Sequence, residues 1–155
     1  MKELKTYASF DELSEQDQIL LKAAIKSREQ AYAPYSHFKV GASVLLDNGK
    51  VITGNNQENA AYPSGLCAER VAVFAAKANY PNAAIVAMAV SARNSNRKTN
   101  EPATCCGSCR QVMLEYELNQ QSPIKIIFYG EEGNVWELPS TKLLLPLFFN
   151  RDFLD

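Results

Sequence analysis

The stretch Thr104-Cys105-Cys106-Gly107-Ser108-Cys109-Arg110-Gln111 holds three of the four cysteines in the chain. Its C-x-x-C pair, Cys106 and Cys109, stands at the start of a predicted helix, where residues three apart are neighbours on one face. The fourth cysteine opens a matching segment, Cys67-Ala68-Glu69-Arg70, at the start of another predicted helix. Because helix N-termini favour thiolates, the two segments together predict a metal site.

Three thiolates from Cys67, Cys106 and Cys109 would suit a zinc ion and leave its fourth position open for water, the pattern of a catalytic site. We expect Glu69 to serve as the general base and acid toward that water. Three thiolates on a divalent cation leave a net negative charge. We therefore assign Arg70 to a charge-neutralising role beside the thiolates.

Three less specific interpretations of the cysteines stay open. The C-x-x-C pair could be a redox motif, all four cysteines could form a structural zinc site, or they could be small buried apolar residues. Against a four-cysteine site, Cys105 and Cys106 are adjacent, and adjacent residues rarely point at one ion. A structural site also has no need of Glu69.

The rest of the chain alternates helices and strands. Ser14 is predicted to cap a helix that ends near Tyr32, because Pro34 disfavours helix at the residue before it. The other expected elements are strands over 38–46 and 51–54 joined by a turn at 47–49, a helix over 67–79, a strand over 83–90, a helix over 106–118, and strands over 124–129 and 135–138. We also expect a short edge strand within 3–7 and an apolar turn or helix over 143–149. This order predicts an α/β fold with helices on both faces of one sheet.

Three segments carry further expectations. Residues 71–76 are apolar all round, which predicts a helix that is buried on every side. The continuous apolar run 83–90 predicts a strand covered on both faces. The long polar connection 91–103 is better placed beside an active site than inside a core.

Composition limits the class of protein. A chain of 155 residues with 46% hydrophobic residues fits one folded domain, residues 1–155, with residues 1–13 as a short N-terminal extension. A net charge of −1 without a basic cluster argues against nucleic-acid binding. The apolar runs are too short to span a membrane, no signal peptide is evident, and the cysteine pattern favours reduced thiols, so we expect a cytoplasmic protein.

The two cysteine segments resemble the zinc-dependent cytidine deaminase family. Three more stretches resemble its other motifs: residues 32–42 (YAPYSHFKVGA) its opening motif, residues 56–63 (NQENAAYP) its nucleoside-binding loop, and residues 144–149 (LLPLFF) its closing motif. The resemblance implies a three-layer α/β/α sandwich around a mixed five-stranded sheet. It also implies a small homotetramer with shared active sites, which acts in pyrimidine salvage.

The resemblance implies hydrolytic deamination of cytidine and 2′-deoxycytidine with one Zn²⁺ per subunit. The zinc ligands would be Cys67, Cys106 and Cys109, and Glu69 the proton shuttle. For the substrate, the implied contacts are Phe38 stacked on the pyrimidine, Asn56 and Glu58 on the ribose hydroxyls, backbone near Ala68 and Ser108 on the base, and Phe149 from a neighbouring subunit. Tyr35 and Tyr62 would lie at the subunit interface. For the aromatic residues, core packing is the alternative.

The chain departs from the family pattern at three positions. Cys105 stands where proline is usual, which predicts a looser start to the helix or an oxidisable thiol. Gln57 replaces an apolar residue and Asn55 a cysteine, which leaves the fine substrate preference open. The single histidine, His37, is not expected to bind zinc, because Cys67 already fills the first ligand position.

Two other functions remain as alternatives. One is deamination of another small aminopyrimidine nucleoside, such as blasticidin S. The other is a non-catalytic binding domain that zinc merely stabilises.

Overall fold

The computed structural model describes residues 3–154, which form three α-helices and one six-stranded mixed sheet. The helices are α1 (Glu15–Glu29), α2 (Ala68–Asn79) and α3 (Gly107–Gln120). The strands are β1 (Lys5–Tyr7), β2 (Phe38–Leu46), β3 (Val51–Asn55), β4 (Ile85–Asn94), β5 (Lys125–Tyr129) and β6 (Val135–Leu138). Their order in the sheet is β1-β6-β5-β4-β2-β3, with β4 and β5 parallel. The predicted α/β class is confirmed. Met1, Lys2 and Asp155, which belong to the domain expected over 1–155, lie outside the described residues.

The expected count of five strands is wrong by one. Lys5–Tyr7, inside the expected edge segment 3–7, pairs antiparallel with β6 and makes the sixth strand. Glu137 on β6 is buried and accepts hydrogen bonds from Lys5 Nζ at 2.9 Å and Tyr7 Oη at 3.0 Å. Three residues are too few to show a strand periodicity, so this strand depends on its partner near the other end of the chain.

The sheet is the middle of three layers. Alternate residues of β2 point to opposite faces, as the two-residue period of a strand requires. Val44 packs into the core that α2 and α3 cover, while Leu45 packs into the core under α1. Ser43 also faces α1, where its Oγ donates to the carbonyl of Leu20 at 2.7 Å. The expected helices on both faces of one sheet are therefore present.

Helix α1 begins as predicted but ends earlier. Ser14 caps it by accepting a hydrogen bond from the backbone N–H of Asp17 at 3.2 Å. The expected end near Tyr32 is wrong by three residues. Tyr32 instead forms a β-bridge to Gln57, so its backbone N–H and C=O are engaged by the 56–58 segment and cannot continue the helix.

Strand β4 runs four residues further than the apolar run that predicted it. It ends at Asn94, which pairs with Phe38 at the beginning of β2. The polar connection therefore starts at residue 95 rather than 91. The pairing with β2 decides where β4 ends, because an antiparallel strand continues as long as its partner offers hydrogen bonds. The change from apolar to polar side chains at residue 91 does not end it.

The prediction that α2 is buried on every side is wrong. Ala72, Val73 and Ala76 are buried, but Phe74 on the outer side is 40% exposed. The helix lies close to β3 because Gly54 has no side chain: a Cβ there would stand 2.4 Å from the backbone nitrogen of Ala72. Small residues thus fill the inner face, and the larger apolar residue is left outside.

Helix α3 holds the C-terminal segment, in which Thr141–Leu144 form a 3-10 helix. Buried Glu117 accepts a hydrogen bond from the backbone N–H of Thr141 at 2.8 Å. Arg110 Nη1 donates to the carbonyl of Leu144 at 3.1 Å, and Gln111 Nε2 donates to that of Phe149 at 2.8 Å. Of the helices formed by residues 3–154, none has the length and apolarity that crossing a membrane would need.

Candidate active site

The predicted metal site forms where α2 and α3 begin. Cys67 and Cys106 are the residues immediately before the two helices, and both have extended backbone. Their sulfurs lie 3.8 Å apart, and the sulfurs of Cys106 and Cys109 lie 3.5 Å apart. All three sulfurs lie within 4.8 Å of one another. The structure therefore brings together three thiols from two helices that are far apart in sequence.

Cys105 takes no part in this group. Within residues 3–154, the cluster of possible metal ligands comprises the other three cysteines. Cys105 is 3% exposed and packs in the core covered by α2 and α3. Burial raises the pKa of its thiol, which therefore stays protonated. A four-cysteine structural site does not fit this geometry, and exposed His37 also lies outside the cluster.

A cavity of about 270 Å³ opens beside Cys67 and Cys106. Glu69 lies in its wall with 5% of the residue exposed, and burial raises the pKa of its carboxyl. Four of the five residues expected to bind substrate also line this cavity: Phe38, Asn56, Glu58 and Ala68. A thiol cluster, a buried carboxyl group and a mixed aromatic and polar wall therefore face one space.

The two polar residues of the 56–58 segment are held by the segment that leads into β2. Asn56 Nδ2 donates to the carbonyl of Phe38 at 2.9 Å, and Asn56 Oδ1 accepts from the N–H of Val40 at 2.8 Å. Glu58 accepts hydrogen bonds from Tyr35 and Ser36. Burial acts to raise the pKa of Glu58, but these hydrogen bonds outweigh it, and the pKa is lowered. Each side chain can still bind a ligand, because an amide and a carboxylate each offer about four hydrogen-bonding positions and not all of these are used within the chain.

Phe149 is the expected substrate-binding residue that the structure does not place in the cavity. Its ring stacks on Phe153 with centroids 5.6 Å apart, and it is 57% exposed. Tyr35 and Tyr62 lie edge to face at 5.9 Å and line a neighbouring open cavity of about 480 Å³. These three aromatic residues are therefore on the surface of the single chain.

A comparison with protein families identifies the family of the chain. Residues 14–122 match the family model described as the cytidine and deoxycytidylate deaminase zinc-binding region. The match spans α1 to the end of α3 and so includes all three clustered cysteines and Glu69. The chain belongs to the cytidine and deoxycytidylate deaminase family.

Full-length relatives agree with this assignment. The chain is 41% identical over 138 residues to a cytidine deaminase of Halalkalibacterium halodurans, a match that covers 89% of this chain and 98% of the relative. It is 38% identical over 133 residues to a cytidine deaminase of Sporosarcina psychrophila, covering 86% of this chain and 91% of the relative. Relatives of this similarity over nearly their whole length show that the chain is an enzyme of the deaminase family.

Solved structures of deaminases share the fold. A cytidine deaminase from Burkholderia pseudomallei superposes with a TM-score of 0.75 at 38% identity and covers 88% of this chain and 100% of its own. The cytidine deaminase from Mycobacterium tuberculosis gives a TM-score of 0.67 at 30% identity and covers 89% of this chain and 99% of its own. The three-layer sandwich is thus the fold of this deaminase family.

Zinc, the metal of the deaminase family, fits the three thiols. Sulfurs bound at about 2.3 Å to a tetrahedral zinc lie about 3.8 Å from one another. The separations of 3.8 Å for Cys67–Cys106 and 3.5 Å for Cys106–Cys109 are close to this value. Neither Cys67 nor Cys106 uses its sulfur to cap its helix, so both sulfurs are available as ligands.

The charges around the thiols favour thiolate at Cys67. The pKa of Cys67 is lowered to about 5, first by the hydrogen bond from Cys109 and then by Arg70. The pKa of Cys109 is raised, because Cys109 is the thiol in the hydrogen bond to Cys67. Arg70 Nη2 lies 3.7 Å from Cys67 Sγ, so Arg70 is close enough to neutralise the charge of this thiolate.

Some residues that line the cavity were not predicted from the sequence. Among them are Ser36, Ala103 and Thr104. Ser36 lies inside the 32–42 motif, which was the available signal. Ala103 and Thr104 follow the polar connection, which has no periodicity from which the direction of each side chain could be predicted.

Proposed function

We propose that this enzyme converts cytidine and 2′-deoxycytidine to uridine and 2′-deoxyuridine with release of ammonia. One observation carries the proposal. A single cavity is lined by thiols of the metal cluster, by Glu69, and by Asn56 and Glu58. Such a cavity combines groups that can act on an amine with groups that can bind a polar sugar. The cytidine deaminases among its relatives support the choice of base.

In this proposal, Phe38 packs on the face of the pyrimidine ring, and backbone groups near Ala68 and Ser108 hold its edge. Asn56 and Glu58 take the hydroxyls of the sugar, because an amide and a carboxylate together offer donors and acceptors. These contacts orient the base so that its C4 lies next to Glu69 and the thiols. Orientation of this kind lowers the barrier by removing the entropy cost of bringing the groups together.

Zinc held by Cys67, Cys106 and Cys109 would supply the Lewis acidity that makes water a nucleophile near neutral pH. Glu69 would accept a proton from the water that adds to C4. It would pass that proton to N3 of the ring, then take the remaining proton of the new C4 hydroxyl and give it to the leaving amine, so that ammonia leaves as the C4 carbonyl forms. Burial supports this role, because it raises the pKa of Glu69 and so makes the carboxyl group a better proton acceptor than an exposed one.

Arg70 would keep the site close to neutral. Three thiolates outweigh the charge of one Zn²⁺, and excess negative charge would weaken the acidification of water. The guanidinium group near Cys67 offsets part of that charge. The N-termini of α2 and α3 add partial positive charge at the same place.

We also propose a homotetramer that completes each site with residues of a neighbouring subunit. Phe149, Tyr35 and Tyr62 would serve there, and their exposure in the single chain is compatible with that use. The need for reduced thiols supports a cytoplasmic location, where the enzyme would serve pyrimidine salvage. Sedimentation velocity measures the subunit number directly, and a monomer at assay concentration would refute the shared site.

Zinc quantitation together with deaminase assays tests the proposed function. We expect one zinc per subunit and loss of the cytidine absorbance as uridine forms, with 2′-deoxycytidine also converted. Blasticidin S serves as the competing substrate. Conversion of blasticidin S alone would show that blasticidin S, and not cytidine, is the substrate. Protein with full zinc and no activity on any of the three would favour a zinc-stabilised binding domain.

A further inference from the structure

The turn before β2 surrounds the carboxylate of Glu58. The backbone N–H groups of Tyr35 and Ser36 both donate to Glu58 Oε2, at 2.9 and 3.2 Å. His37 follows with a positive φ of 55°, a left-handed backbone conformation, and is the last residue before β2. Glu58 is thus fixed by a turn that the mechanism above does not use.

The hydroxyl of Ser36 makes two hydrogen bonds within this turn. It donates to Glu58 Oε1 and accepts from the backbone N–H of Phe38 at 3.0 Å. A hydroxyl has one proton, so its single donor is committed to the carboxylate. One side chain therefore connects Glu58 and Phe38, which both line the 270 Å³ cavity together with Ser36 itself.

The hydrogen bonds to Glu58 limit what a ligand can use. A carboxylate has about four acceptor positions, and three of those on Glu58 are occupied by Tyr35 N–H, Ser36 N–H and Ser36 Oγ. One position remains, on the oxygen that Ser36 holds. The direction of that position depends on the Ser36 hydroxyl, because the two backbone bonds go to the other oxygen.

We propose that Ser36 is a positioning residue that orients Glu58 toward the sugar hydroxyls. This inference rests on the proposed function. The sugar contacts hold the substrate and also orient its base, so their loss can act on KM and on kcat. The quantity that measures their total contribution to the transition state is kcat/KM.

Three variants test the role of Ser36 in the zinc-loaded enzyme. Ser36→Ala removes both hydrogen bonds of the hydroxyl, and Ser36→Thr retains a hydroxyl. Ser64→Ala is the matched control, because this exposed serine lines neither cavity. We expect Ser36→Ala to lower kcat/KM for cytidine about tenfold, the size expected for one hydrogen bond to a charged group. Ser36→Thr should recover most of the loss, and Ser64→Ala should match the unaltered enzyme.

A second substrate separates positioning from a general structural role. In 2′,3′-dideoxycytidine, no hydroxyl on the sugar ring can donate a hydrogen bond to Glu58. With this substrate, Ser36→Ala should change kcat/KM by less than about twofold. A double-mutant cycle with Glu58→Gln should show non-additive effects on cytidine, because Ser36 acts through Glu58. Thermal unfolding and zinc content should be unchanged in Ser36→Ala.

The outcomes distinguish this inference from the proposed function. An inactive unaltered enzyme would refute the proposed function. An active enzyme in which Ser36→Ala leaves kcat/KM for cytidine unchanged would refute the role of Ser36. Equal losses on cytidine and on 2′,3′-dideoxycytidine would also refute it, since they would reveal a general effect on the fold or on Phe38.

Discussion

Helices α2 and α3 begin alike and contribute different chemistry. Each follows a cysteine in extended conformation, Cys67 or Cys106. The third residue of each helix reaches back to that cysteine: Arg70 Nη2 lies 3.7 Å from the Cys67 sulfur, and Cys109 Sγ lies 3.5 Å from the Cys106 sulfur. One helix thus offers a positive charge at the position where the other offers a thiol.

The comparison shows that the same local geometry can supply different functional groups to one site. The α3 start supplies two of the three thiols. The α2 start supplies the third together with the carboxyl group of Glu69 and the guanidinium group of Arg70. Changes in α3 should therefore act mainly through zinc, and changes in α2 should separate proton transfer from zinc binding.

The largest effect is expected for Glu69→Gln in α2. The amide keeps the size of the side chain but cannot exchange protons, so kcat/KM for cytidine should fall by about 10²- to 10⁴-fold or more. Zinc content should stay at one per subunit by elemental analysis. The control is Glu15→Gln, an exposed carboxylate in the first turn of α1, which should leave activity unchanged. Full activity of Glu69→Gln would remove Glu69 from the mechanism.

The second prediction compares two adjacent cysteines in front of α3. Cys106→Ser should lose most of its zinc. Its zinc affinity should fall by more than the roughly 10–100-fold that follows removal of a residue that hydrogen-bonds to a metal ligand. Cys105→Ser should retain one zinc per subunit, because Cys105 lies outside the cluster. Zinc per subunit after desalting is the measurement. Equal losses from both variants would restore the four-cysteine structural site.

The smallest effect is expected at Arg70, which contacts a ligand rather than the metal. Arg70→Gln should lower zinc affinity about 10–100-fold in competition with a chelator. Arg70→Lys should fall between this variant and the unaltered enzyme, since lysine keeps the charge but lacks the guanidinium fork. Identical zinc affinity in all three proteins would show that the charge near Cys67 has no role in holding the metal.

Much of the fold could be predicted because its signals are local. The capping residue Ser14 and the apolar runs of β2 and β5 each indicate their element within a few residues. The misplaced boundaries depend on pairing instead. The end of α1 is set by the bridge from Tyr32 to Gln57, and the end of β4 by the start of β2. The sixth strand likewise needs its partner β6.

The candidate site could be predicted in its residue types but not in its geometry. The i, i+3 spacing of Cys106 and Cys109 is a local property of a helix. The third thiol, Cys67, joins them only because α2 and α3 lie on the same face of the sheet. Ser36 was missed because its hydrogen bond to Glu58 crosses between two loops that no periodicity connects.

The sequence by itself determined the chemistry of this protein: three thiols, one carboxyl group and their helical spacing, in a chain of the deaminase family. Only the tertiary structure decided which cysteine is excluded. Cys105 and Cys106 are adjacent and chemically identical, yet burial in the apolar core keeps Cys105 a neutral thiol, while Cys106 faces the cavity. That choice depends on the packing of α2 and α3 against the sheet, and packing is a property of the whole fold rather than of neighbouring residues.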